Sequence, residues 1–164
     1  MELKPITQEG IPAALQKAER YRLLNESSAA ESICLDVLEI DPTNQEALIS
    51  LLLSITDQFS EEASDGVHRA RAVVPRIVDE YERIYYSGII CERRARAHLH
   101  RGALGAGEVA AEWLRQAMAY YEEAEAMRPA GNDEAILRWN TCVRTLAKHE
   151  RVHAPGEYEP ALDD

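Results

Sequence analysis

No apolar run in this sequence approaches the length that a membrane-spanning helix needs. The longest, Ala47 to Ile55, is interrupted by Ser50 and Ser54, so no membrane segment is expected. Cysteine is scarce as well. Cys34, Cys91 and Cys142 are odd in number, far apart and without a CxxC pair. That pattern speaks against a disulfide framework and for a reducing interior. Positive charge is short: 18 Lys and Arg stand against 29 Asp and Glu, a formal net charge of −11. A nucleic-acid binder needs surplus cations for the phosphate backbone, so no nucleic-acid partner is expected, and neutral or cationic partners are favoured. The opening residues, MELKPITQEG, lack the charged-then-apolar pattern of a secretory leader. A cytoplasmic protein is the expectation.

Hydrophobic residues make up 46% of the 164, enough for the core of one domain, and their spacing is helical. Ala30, Ile33, Cys34, Val37 and Leu38 fall on one face of a helix. Pro42 has no N–H and pushes Asp41 out of helical dihedrals, so that helix must end there. Thr43 and Glu46 then read as a capping box that starts the next helix. The stretch is a tight helix–turn–helix.

The unit recurs. Ala30, Cys34 and Val37 lie twelve, eight and five residues before Pro42. The same offsets give Ala63, Val67 and Ala70 before Pro75, and Ala117, Tyr121 and Ala124 before Pro129. Two helices per period in the low thirties mark a helical repeat. The pattern resembles the tetratricopeptide repeat, whose second helix carries Ala, an aromatic and Ala before a closing Pro. Ala18 and Tyr21 match that family's small and aromatic first-helix positions, and AMAYYEEAEAMRP is the best match in the chain. The second unit departs, with Leu51 and Ser54 where a small residue and Tyr belong.

The expected fold is therefore all-α: an α–α superhelix of three helical hairpins plus a C-terminal capping helix, about seven helices. A lead-in covers 1–10 and the helical domain 11–151. Its repeats run 11–44, 44–77 and 78–131, its cap helix 132–149, and an acidic, disordered tail 152–164. Pro75 either opens a long helix over 76–101 or kinks one running from about Asp65. RGALGAG then breaks the chain before Glu108 to Met127. Asn132 is the expected N-cap of the last helix, with Ile136, Trp139, Val143 and Leu146 as its apolar stripe. The resemblance implies that the helices at 12–24, 44–57, 76–101 and 132–148 line a concave surface. It also implies that a peptide or protein segment binds there.

Two sets of residues are candidates for that binding. Leu48, Leu52 and Ile55 recur at helical spacing and either face the groove or pack on a neighbouring helix. Arg93, Arg96 and His100 share one side of the basic segment RRARAHLHR, with Arg94 and His98 on an adjacent one. They either hold an acidic group of the partner or pair with Glu108, Glu112, Glu122, Glu123 and Glu125 on the helix opposite. Catalysis is not expected. His98 and His100 sit on different sides of a helix, and His149 and His153, though suitably spaced for a metal, precede a Pro-Gly turn where the helix should fray. Cys91 has no adjacent His, and the Gly102, Gly105, Gly107 loop lacks a preceding strand. No cofactor and no metal are expected.

The leading expectation is an interaction scaffold or adaptor, chaperone-like in size and acidity. The alternative is an enzyme or small-ligand sensor with a pocket at the elongated third pair. The first helix carries Leu15, Ala18, Leu23 and Leu24 beyond one neighbour's need, so a homodimer would form through the first repeat.

Overall fold

The architecture comes from a computed structural model that describes residues 1–60 and 65–153. It is all-helical, with seven α-helices and no strand among the described residues: α1 Ile11–Leu23, α2 Ser27–Ile40, α3 Gln45–Asp57, α4 Gly66–Val73, α5 Glu80–Arg101, α6 Ala106–Ala126 and α7 Glu134–His153. None of them is long and apolar enough to cross a membrane.

Local chemistry sets the breaks. Asn25, at φ 61°, turns the chain between α1 and α2, a conformation that Asn tolerates better than most residues. After Asp41 and Pro42 the cap of α3 is Asn44, whose side chain accepts from the Ala47 amide at 2.9 Å. Thr43 instead turns back and donates to Asp41 at 3.2 Å, so the expected Thr43–Glu46 capping box does not form and a single Asn cap one residue later takes its place. Pro75 neither opens α5 nor kinks a continuous helix. It sits in a 3-10 turn, Val74–Arg76, that ends α4. Helix α5 starts four residues later than expected because Asp79 caps it, accepting from the Glu82 amide at 2.8 Å. Gly102 and Gly105 take left-handed φ values of 61° and 76°, which closes α5 and opens α6 in a few residues.

Each helix packs on its neighbours in sequence, and α1 also touches α3, as α3 does α5. The apolar residues form two clusters. One joins α1 to α4 with Ile77, Ile90 and Ala97. The other joins α5, α6 and α7 around Tyr85, Tyr121, Leu114 and Cys142. Helix α5 therefore buries two faces, and Leu53 and Tyr86 touch both clusters. Of the recurrent positions, Ala30, Cys34, Val37, Ala70, Ala117, Tyr121 and Ala124 are each 0% exposed, while Val67 is half-buried. Ala63 lies outside the described residues, as does the expected tail from residue 154 onward.

Helix α7 departs from its expected register. Ala135 and Cys142 are buried, whereas Val143 is 36% exposed. The helix also continues past the expected end at 149 to His153.

Ala30 and Ala117 are each 0% exposed within the packed core. Replacing either with Leu should cost about 1–3 kcal/mol through overpacking, read by urea denaturation; neutrality at both sites would contradict this packing. Gly88 marks a close approach. A Cβ there would meet the Tyr121 ring at 2.6 Å. Ala should gain about 1 kcal/mol in helix propensity. Displacing a fully buried ring should outweigh that gain, for a net loss of about 1–2 kcal/mol in thermal unfolding. A more stable Gly88→Ala protein would contradict it.

Candidate functional site

A recess of about 720 Å³ opens between the last turns of α1 and α3, the start of α2 and the last turn of α5. Glu19, Arg22 and Leu23 come from α1, Ser28 from α2, Asp57 from α3 and His100 from α5. At its floor Asp57 accepts from Arg22 Nε at 2.9 Å and Ser27 Oγ at 3.4 Å, and it pairs with Arg93. Two guanidinium groups thus share one carboxylate, and Glu19 supplies a second carboxylate at the same recess. A hollow of about 150 Å³ adjoins it, sharing Asp57 and lined further by Thr56, Arg93 and Arg96.

The expected site residues are not brought together. Leu48 and Leu52 are 0% exposed and Ile55 is 3% exposed, all in the first core cluster. Helix α3 lies among α1, α2, α4 and α5, so its apolar stripe has neighbours on more than one side and offers a partner no access. Arg93 is also interior. Its side chain is 17% exposed, and besides Asp57 it donates to Thr56 Oγ1 at 2.9 Å and the Leu53 carbonyl at 3.2 Å. Burial pulls its pKa down, and the Asp57 carboxylate opposes that shift. Arg96, at 64% exposed, and His100 remain accessible. Neither Arg93 nor Arg96 takes the α6 acids as partner. Glu122 instead accepts from Trp139 Nε1 at 3.0 Å, and Glu112 and Glu125 lie near Arg115 and Arg128.

A second polar group is built around Glu92, which is 3% exposed. Its carboxylate accepts from the Tyr121 hydroxyl at 2.7 Å, Arg96 at 3.0 Å and Arg138 at 3.3 Å. The Tyr121 phenol is pushed up, first by burial and then by the Glu92 charge. This group ties α5 to α6 and α7. Burial also raises all three thiols, Cys34 to about 11, Cys142 to about 12, and Cys91 in the same direction. They behave as small apolar core residues.

A third feature lies between α5 and α7: a pocket of about 490 Å³ lined by Leu99, Thr141, Arg144, Thr145, Lys148 and His149. The His149 ring rests against Gly107 at the start of α6. The side chain of His153, its expected partner at metal spacing, lies outside the described residues. Among the described residues no three His, Cys, Asp or Glu side chains form a group that could hold a metal ion.

Compared with protein-family models, with curated proteins and with solved structures, the chain matches none.

Reading the sequence missed Arg22, Asp57 and Glu92. A signal existed for the first two. Helices α1 and α3 are both thirteen residues long, so Arg22 and Asp57 occupy equivalent last turns. For Glu92 the signal was its spacing four residues before Arg96, which puts the two on one face of α5 as an ion pair.

Proposed function

We propose that this chain is an interaction module, an adaptor or chaperone-like scaffold that holds a segment of another protein in the recess between α1, α3 and α5. The observation that carries this reading is the shared Asp57. Arg22 and Arg93 both rest on it, with His100 beside it and Arg96 in the adjoining hollow, so basic groups that are scarce in a chain of net −11 gather around one recess. Such a spot attracts an acidic group that the surrounding surface repels. Leu23, 79% exposed at the edge of the recess, offers an apolar contact beside it. The tetratricopeptide-like solenoid is supported by the equal lengths of α1 and α3 and by the burial of the recurrent small positions. The raised, buried thiols fit a reducing, cytoplasmic setting.

Homodimerisation through α1 remains part of the proposal, in reduced form. Leu15 and Ala18 are core residues, which leaves Leu23 and Leu24, at 79% and 59% exposed, as the contact. Light scattering that gives a monomer at high concentration removes it.

The interaction reading is tested by photocrosslinking in the cells that make the protein. Benzoylphenylalanine at Glu19 and Ser28, inside the recess, should capture one common partner, whereas the same probe at the exposed Leu137 should not. Equal capture from Leu137, or none from the recess, would refute it.

A further inference from the structure

The pocket between α5 and α7 has a different character from the recess. Its walls are apolar for a reason that the hydrogen bonds give. Thr141 Oγ1 donates to the Leu137 carbonyl at 2.9 Å, and Thr145 Oγ1 to the Thr141 carbonyl at 2.9 Å. With both hydroxyls engaged one turn back along α7, the threonines offer their methyl groups, and Leu99 of α5 supplies the rest of the floor. Arg144 and Lys148 stand one turn apart on α7 at the edge of that floor. Both are exposed, and neither forms an ion pair among the described residues. Arg96, already paired with Glu92, lines with it a smaller hollow of about 40 Å³ that shares Leu99, Thr141 and Thr145 with this pocket.

We infer that this pocket binds a small amphiphilic anion, a free carboxylic acid with an acyl or aryl body. The body would lie on Leu99 and the threonine methyls, and the carboxylate would meet Arg144 and Lys148. Three arguments converge. The volume, about 490 Å³, falls in the ordinary range for small-molecule sites. The floor is apolar while its rim is cationic, the polarity of the ligand in reverse. And the rim cations form no ion pair among the described residues of a chain of net −11, so an anion finds its local counter-charge there. The inference does not depend on the interaction reading, since the recess and this pocket share no lining residue.

The test uses the full chain and decanoate, followed by isothermal titration, with decyltrimethylammonium as the cationic counterpart. Decanoate should bind saturably and raise the melting temperature. The Arg144→Glu, Lys148→Glu double variant should bind it at least tenfold more weakly with an unchanged circular dichroism spectrum. Thr141→Arg, which fills the floor, should abolish binding, and decyltrimethylammonium should not bind the unaltered protein. Equal affinity for the two detergents would overturn the inference, as would undiminished decanoate binding by either variant. Binding to phosphatidylglycerol vesicles without binding of free decanoate would assign the cations to a membrane surface and overturn it too.

Discussion

Arg93→Glu is expected to lower stability by about 3–5 kcal/mol, a fall in melting temperature of roughly 6–20 °C for a chain of this size. The side chain is 17% exposed and joins α5 to α3 through Asp57, Thr56 Oγ1 and the Leu53 carbonyl. Reversal removes the bonds that Arg93 donates to Thr56 and Leu53 and sets a second carboxylate against Asp57 in a partly buried spot. Arg93→Met should be milder, about 1–2 kcal/mol, because Asp57 keeps its bond from Arg22 at 2.9 Å. Chemical denaturation of the two variants measures the difference. A charge reversal that costs less than the methionine change would contradict the network. The substitution that a binding role for Arg93 would suggest is therefore a test of folding instead.

Glu92→Leu is the second large effect, expected at about 2–4 kcal/mol. One carboxylate serves Tyr121, Arg96 and Arg138, donors from α6, α5 and α7. The two arginines, 64% and 36% exposed, can turn toward water when it is removed. The Tyr121 hydroxyl cannot, since that residue is 0% exposed, and a stranded buried donor costs about 1–3 kcal/mol. Adding Tyr121→Phe to Glu92→Leu should therefore recover about 1 kcal/mol, a coupling that a double-mutant cycle reads directly. Strict additivity would mean that the phenol does not depend on Glu92.

The helical architecture was legible in the sequence because the apolar period and the punctuation agree. The stop at Asp41-Pro42 and the breaks at Gly102 and Gly105 stand where the residues put them. The cap of α3 shifted by one because Thr43 and Asn44 are both competent, and only the turn geometry chooses Asn44. Pro75 misled because a first-turn proline and a 3-10 turn look alike in sequence. The better signal was Asp79 followed three residues later by Glu82, the cap that α5 uses. The candidate site was less legible. Leu48, Leu52 and Ile55 follow a groove-compatible spacing, yet a helix with several neighbours buries more than one stripe. Arg93 and Asp57 are 36 residues apart, and a pairing across that distance leaves no local pattern. Arg96 and His100 are exposed, Arg96 while paired with Glu92 one turn back.

Hydrogen–deuterium exchange of the full chain, with and without the partner captured by photocrosslinking, tests the central claim most directly. Binding in the recess should slow exchange at the last turns of α1 and α3, at the start of α2 and over residues 93–101 of α5. Helix α6, which contributes nothing to that recess, should exchange unchanged. Protection concentrated on α6, with the ends of α1 and α3 unaffected, would contradict it.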